Sequence, residues 1–458
     1  MPKMPLDDAV FLLGEAPRKP AHVVALQLFE STGDGADLAA LFEKMLALPV
    51  KHAFRRHAAR NVLTPSGFDW RDEGLDLDYH VRHVALPPPG RIRELLEYVS
   101  LQHGVVLDRA RPLWEYHLIG GLADGRFATA FKTHHALADG ITLAKHTIGG
   151  LSPDPTNTTC LPPWAGVESE NEASESPKVP TPLALPRQLI GTSKATLAAL
   201  LALQNMASDI NTPLPYQAPA CVLNGKITGA RRFAGDKWPH ARLKVVATAA
   251  GCSVNDVILA MCGGALRGYL ADLDELPDRS LIAMVPISLR REGAAFDAGS
   301  GNAFGSILCD LQTTTDDPAE RLNAIRENMN VSKKRMDHLS PGEALAVSRV
   351  VMGGAAVAAL TGFTSTPRQP FNLVISNVPA TPHPLYFNGA QMTDLYPISM
   401  ISEGQRMNIT VTRYADSITF GIVGDRSCLP HLQRMLVHLE DTLSDLEKAL
   451  VPSTKTGN

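Results

Sequence analysis

The chain has 458 residues, 45% of them hydrophobic and 20% charged. At about 100–200 residues per domain, this is a globular protein of several domains with room for a large core, not a collagen, a coiled coil or a disulfide scaffold. Forty-three basic residues against 47 acidic ones leave a net charge of −4, so no overall basic excess points to nucleic acid.

Six cysteines, at 160, 221, 252, 262, 309 and 428, are scattered without a C-x-x-C pair. They read as reduced thiols, which sets the expectation of a cytoplasmic protein. The opening stretch lacks the basic and long apolar regions of a signal peptide, and Asp7 and Asp8 interrupt it early.

Residues 22–29 (HVVALQLF) predict a strand by their β-branched and apolar content. Residues 37–48 predict a helix, with Leu38, Leu41, Phe42 and Met45 at helical spacing. Residues 75–84 alternate and read as a second strand. A helix follows over 92–103, with Leu95, Leu96 and Val99 on one face. Residues 127–132 form a strand that runs into His134, and a helix is expected over 141–148. From 151 to 186 proline, serine and glutamate dominate, and such a stretch buries little apolar surface. It reads as a linker between an N-terminal domain, 1–150, and a C-terminal domain, 187–458.

In the second half, helices are predicted over 194–207 and 253–270, the latter with Ser253 or Asn255 as its cap. Strands are predicted over 281–287, 371–376, 407–413 and 417–423, and an amphipathic helix over 431–450. The run 350–363 (VVMGGAAVAALTGF) is uncharged but shorter than the roughly 20 residues of a spanning helix. It reads as a buried helix, with a membrane-touching or ligand-tunnel helix as the alternative. Helices and strands alternate irregularly, which favours a mixed α/β fold.

The strongest chemical signal is Lys132-Thr133-His134-His135-Ala136-Leu137-Ala138-Asp139-Gly140. Neighbours on extended backbone point to opposite faces, so one histidine is a base candidate and the other packs or orients. Imidazole suits base work because its ordinary pKa, about 6.5, lies near neutrality. Asp139 is placed to fix the loop through an arginine or through backbone amides, and Gly140 to allow a tight turn into the helix. The adjacent spacing, with no third ligand nearby, argues against a metal site.

HHALADG resembles the HHxxxDG motif of CoA-dependent acyltransferases. Further segments narrow the resemblance. Pro112-Leu113-Trp114 is similar to a PLW motif and Asn255-Asp256 to an ND motif. Pro286-Ile287-Ser288-Leu289-Arg290, with Gly301-Asn302, is similar to a P-x-S-x-R…GN segment. Ser376-Asn377-Val378-Pro379 is similar to SNVPGP, with Ala380 where the family often has glycine. Together with the opening LDDAVFLLGEAPRKPAHVV, these resemble the bacterial wax ester synthase/acyl-CoA:diacylglycerol acyltransferase family.

That resemblance implies two chloramphenicol-acetyltransferase-like domains with an active-site tunnel between them. It implies acyl-CoA as co-substrate with no resident cofactor, and a fatty alcohol or diacylglycerol as acceptor. It makes His135 the general base and gives Asp139 a structural role, with Arg290 as a possible partner across the halves. Asn255 is an oxyanion-hole candidate or a helix cap. Ser376 and Asn377 line the channel or bond a strand edge. Arg231, Arg232, Lys237, Arg290 and Arg291 are candidates for the CoA phosphates. A lipid product further implies peripheral contact with membranes or lipid inclusions. The rivals are a condensation-type transferase acting on carrier-protein thioesters and a non-catalytic lipid-binding protein.

Overall fold

The computed structural model describes residues 3–30, 37–72, 74–165, 213–288, 304–339, 343–344, 347–348, 351 and 368–451. From the N-terminus come α1 (Leu6–Gly14), β1 (His22–Glu30), α2 (Leu38–Leu46), β2 (Arg56–Arg60) and β3 (Phe68–Asp72). Then follow α3 (Leu77–His80), β4 (Val81–Ala85), α4 (Ile92–Gly104), β5 (Trp114–Gly120), β6 (Phe127–His134) and α5 (Gly140–Gly149). The second half opens with β7 (Ala218–Pro219), β8 (Arg231–Pro239), α6 (His240–Ala250), α7 (Val254–Asp272), β9 (Ile282–Ser288) and β10 (Phe304–Asp310). It continues with α8 (Pro318–Asp337), β11 (Arg368–Gln369), β12 (Leu373–Val378), β13 (Tyr386–Phe387) and β14 (Ala390–Ile398). β15 (Met407–Tyr414), β16 (Ser417–Asp425) and α9 (Arg434–Leu450) close the chain.

Two six-stranded mixed sheets dominate. One has the order β13-β14-β1-β6-β5-β4 and the other β10-β9-β12-β15-β16-β8. β1 is buried along eight of its nine residues, which is why it reads as a continuous apolar run and lies inside its sheet, between β14 and β6. α7 starts at a reciprocal capping box: Ser253 accepts from the Asp256 amide, and the Asp256 carboxylate accepts from the Ser253 amide. Its apolar residues from Val257 to Leu270 pack under the second sheet against α9, whose Met435, Leu439, Leu443 and Leu446 share one face. Among the described residues no single helix is long and apolar enough to cross a membrane.

The two sheets do not follow the two halves of the sequence. β14, from the second half, pairs with β1 in the first sheet, from Val24 opposite Ile398 to Glu30 opposite Gln391. The sheets meet where β14 lies against β16 and β8. A side chain at Gly421 would sit 1.9 Å from the Pro397 carbonyl oxygen, so only glycine allows that approach.

Two expectations change and one pair of alternatives is settled. Residues 75–84 are not one strand, because Asp76 caps a short helix, α3, before β4 begins. The linker expected over 151–186 is packed in its first part: Trp164 is fully buried, and its ring stacks on Trp114 at 5.3 Å. Cys160 and Ala165 are buried in the same core, and the Lys51 amide donates to the Trp164 carbonyl at 2.9 Å; the proline- and serine-rich composition hid these few apolar contacts. The cap of α7 is Ser253, not Asn255. The expected helices over 194–207 and 350–363 and the rest of the linker lie outside the described residues.

Candidate active site

β6 carries the motif to the end of the first sheet. The His134 amide donates to the Leu113 carbonyl at 3.0 Å and the His135 amide to the Ala21 carbonyl at 2.8 Å. The strand end is therefore pinned between the PLW segment and the start of β1. Leu113 and Trp114 are fully buried, and the Trp114 indole donates to the Phe54 carbonyl. Their part is packing that positions the histidine backbone.

The two imidazoles have different surroundings, as expected for neighbours leaving a strand. The His135 ring stacks on Phe11 of α1, with centroids 4.0 Å apart. Burial pushes its pKa down to about 4, against the Asp139 carboxylate, which favours the charged form. The ring is therefore neutral at pH 7. Its Nδ1 is buried and makes no well-formed hydrogen bond among the described residues; the residue's own backbone is the acceptor within reach.

His134 is wholly buried. Its Nδ1 accepts from the Ala136 amide at 3.0 Å, which assigns the proton of the neutral ring to Nε2. That Nε2 lies 3.4 Å from Glu15 Oε1. The same oxygen is 3.1 Å from His22 Nε2 and accepts from the Ala21 amide. Glu15 Oε2 accepts from Arg109 Nε and a second guanidinium nitrogen at 3.0 and 2.9 Å. Burial alone would raise the Glu15 carboxyl, but the His134 and His22 imidazoles close beside it outweigh burial and hold the group far below the usual carboxylate range. Glu15 lies in the opening segment LDDAVFLLGEAPRKP, whose pattern assigns it no role. The only local signal was a lone carboxylate between an apolar helix and the proline-flanked approach to His22.

Asp139 caps α5 by accepting from the Thr142 amide at 2.7 Å, so of the two partners considered for it, a backbone amide is the one observed. Arg290 lies outside the described residues. Gly140 does not make the tight turn expected of it: its backbone is not left-handed, and a side chain there would make an ordinary 3.5 Å contact with Val378 Cγ2. Gly140 instead lies where the halves meet, beside the end of β12.

Asn377, at that same strand end, donates from Nδ2 to Asn255 Oδ1 at 3.3 Å. This contact brings the start of α7 to the end of β12. With its oxygen occupied, the Asn255 amide still has N–H groups to donate. Ser376 donates to Thr410 Oγ1 on β15 at 3.0 Å, so its hydroxyl bonds the neighbouring strand. Among the cations considered for CoA, Arg231 is buried, Arg232 lies 3.6 Å from Glu97, and Lys237 pairs with Asp394. Arg291, like Arg290, lies outside the described residues. The cysteines are free thiols, with Cys160, Cys262 and Cys309 buried.

Residues 4–258 match the wax ester synthase/diacylglycerol acyltransferase catalytic domain, and residues 300–447 match the WS/DGAT C-terminal domain. A Mycobacterium tuberculosis protein named probable diacylglycerol O-acyltransferase tgs2 is 43% identical over 457 residues, covering 97% of this chain and 98% of that one. The structure of a wax ester synthase/diacylglycerol acyltransferase from Marinobacter aquaeolei VT8 superposes with a TM-score of 0.79 at 36% identity, covering 98% of this chain and all of that one. The first condensation domain of the calcium-dependent antibiotic synthetase shares the fold, with a TM-score of 0.59 at 14% identity over 99% of this chain and 97% of that one.

Proposed function

Since the chain belongs to the wax ester synthase/diacylglycerol acyltransferase family and is an O-acyltransferase, we propose that it transfers a fatty acyl group directly from acyl-CoA to a long-chain alcohol or a diacylglycerol, with His135 as general base. The observation that carries this reading is the His135 imidazole just past the end of β6, pinned by its amide to Ala21 and stacked on Phe11, in the segment that leads into α5 where that helix meets β12.

His135 takes the proton of the acceptor hydroxyl. The oxygen attacks the thioester carbonyl carbon, and its C=O electrons move onto oxygen. Asn255 is the donor to that oxyanion, a role that its occupied Oδ1 and free N–H groups suit. Collapse breaks the C–S bond, and the departing thiolate takes the proton from His135. The products are an ester and CoA thiol. Holding both substrates beside one base makes the step effectively unimolecular, so no acyl-enzyme and no resident cofactor are needed. Glu15 and Arg109 hold His134, and with it the end of β6, from behind. Lipid substrates also place the protein in peripheral contact with a membrane or lipid inclusion.

The test is thiol release from palmitoyl-CoA with hexadecanol, with dioleoylglycerol and with no acceptor, for the native chain and His135→Ala. Acceptor-dependent release that disappears in the variant is expected, and the ratio between the two acceptors ranks them. Release that ignores the acceptor would mean hydrolysis. Retained transfer in His135→Ala would remove the histidine from its role.

A further inference from the structure

We propose that the tip of the β2–β3 hairpin is an anchor that inserts into an anionic phospholipid surface. The inference rests on the reading that the substrates are lipids, and it names the surface through which the protein meets them.

The tip, residues 61–67, is turned inside out. Val62 and Leu63 are 94% and 88% exposed, whereas Thr64 and Ser66 beside them are buried. The loop is ordered by its own bonds. The Asn61 amide donates to the Gly67 carbonyl at 2.9 Å, the Thr64 amide to Asn61 at 3.1 Å and the Gly67 amide to Thr64 at 3.0 Å. The Asn61 side chain accepts from the Leu63 amide, and Ser66 donates to the Phe68 carbonyl. Hydroxyls that could face water are spent inside, and the two aliphatic side chains are held out. Single exposed apolar residues are ordinary; an adjacent pair on a loop whose hydroxyls close inward is a built feature.

The flanking strands supply the complementary charge. Arg55, Arg60 and Arg71 are exposed, and Arg56 lies over the Trp70 ring at 5.6 Å. Against these four arginines the described residues of the hairpin, 55–72, hold two carboxylates, Asp69, which is buried and bonded by Asn61, and Asp72, which pairs with Arg55; Glu73 follows in the sequence. Arg60 stands at the tip end of the hairpin, opposite Phe68, and Arg55, Arg56 and Arg71 lie at its open end beside Asp72; this basic charge along the hairpin, in a chain of net charge −4, matches an anionic interface. Two aliphatic residues alone give marginal membrane binding, and nearby arginines add the second attraction.

The hairpin is also continuous with the site. Ala58, Phe68 and Trp70 pack in one small cluster with Ala9 and Leu12 of α1 and with Ala136, the residue after His135. α1 in turn presents Phe11 to the His135 ring. An anchor at this tip therefore holds the bilayer against the element that contacts the base.

The experiment is co-sedimentation of the full chain with phosphatidylcholine vesicles, with and without phosphatidylglycerol. It compares the native chain with the double variants Val62→Ser/Leu63→Ser and Arg60→Gln/Arg71→Gln. Native protein is expected to pellet with phosphatidylglycerol vesicles and to release as salt rises. The tip variant should bind at least about tenfold more weakly, and the arginine variant should lose the preference for phosphatidylglycerol. Thiol release from hexanoyl-CoA with a soluble alcohol, without vesicles, should be the same for the tip variant as for the native chain. Native protein that stays in the supernatant, or a tip variant that binds as well as native, would overturn the anchor. So would a changed oligomeric state of the tip variant without vesicles, which would assign the tip to contacts between copies. Absence of thiol release from the native chain with any acceptor would sink acyl transfer, and the vesicle result would still decide the anchor.

Discussion

The two six-stranded sheets have the same number of strands and very different interiors. Around the first sheet, on the side of β6 that carries Lys132 and His134, the protein buries His22, His103, Glu115, His117 and the side chain of Glu15 as well. The core between the second sheet and α7 and α9 is aliphatic. The two buried charges in its helices, Asp256 and Arg321, serve helix starts: Asp256 closes the capping box, and Arg321 donates to the carbonyls of Thr315 and Asp316 just before α8. Aliphatic burial stabilises in proportion to area, whereas a buried ionisable group costs stability unless it is fully partnered. The first sheet meets that cost with specific contacts. Lys132 donates to the Gln102 carbonyl at 2.9 Å and lies 3.8 Å from Glu115, while Tyr98 lies 2.6 Å from His117 Nδ1. Groups of this kind behind β6 mark the sheet that carries the base; the second sheet contributes the Asn255–Asn377 contact at the end of β12 and otherwise an apolar core.

The sharpest way to break this comparison is one substitution on each side. His135→Ala should lower kcat about 10²–10⁴-fold, the range of a lost general base, with little change in denaturation midpoint. Leu266→Ala, in the centre of α7 and fully buried, should cost about 2–5 kcal/mol of stability and leave turnover per folded molecule unchanged. Paired urea melts and kinetics check both. A Leu266→Ala enzyme that is stable but slow would erase the distinction between the sheets.

Titration sharpens the comparison further. Burial takes both His135 and His146 down to about 4. The unfolded chain protonates these rings near the ordinary value of about 6.5, so it binds more protons than the native state between pH 6.5 and 4. The stability present above pH 6.5 is therefore lost as pH falls through that window. In catalysis the base stays neutral to about pH 4, so the acid limb of kcat/KM is expected near 4. A limb near 6.5 would mean that the ring is solvated in the free enzyme. Glu15→Gln keeps the shape but removes the charge that His22, His134 and Arg109 share. A drop of about tenfold in kcat, equivalent to about 1.4 kcal/mol, is expected with KM unchanged. Equal losses in kcat and stability, with an unmoved pH profile, would reduce Glu15 to packing.

Legibility in the sequence followed locality. β1, α4 and α7 were readable because period and cap lie within the segment, as Ser253 and Asp256 show. The HHxxxDG motif was readable because strand, turn and helix are consecutive. β14 could not be placed in the first sheet, since its partner β1 lies at the other end of the chain. The β2–β3 hairpin escaped because RHAAR and FDWRD show no clean alternation; their buried Ala58, Phe68 and Trp70 pack against Ala9 and Leu12 of α1, distant in sequence. Glu15 gained its meaning only when folding brought Arg109, His22 and His134 to its two oxygens.

The smallest expected effect is at Gly140, and it tests whether a motif residue matters for the reason its letter suggests. Glycine after aspartate suggests a backbone turn that other residues avoid. Here Gly140 is the first residue of α5, with Asp139 as its cap, and alanine is the better helix former at such a position. The methyl group of Gly140→Ala would meet Val378 Cγ2 at 3.5 Å, an ordinary contact. Stability should therefore stay within about 0.5 kcal/mol of native or rise, as for other tolerated glycine replacements. Turnover with a short acyl-CoA and alcohol should follow it. If stability holds but turnover with long chains falls selectively, the space over Gly140, between α5 and β12, is occupied by substrate. The glycine would then be kept for the passage between the two halves rather than for the turn.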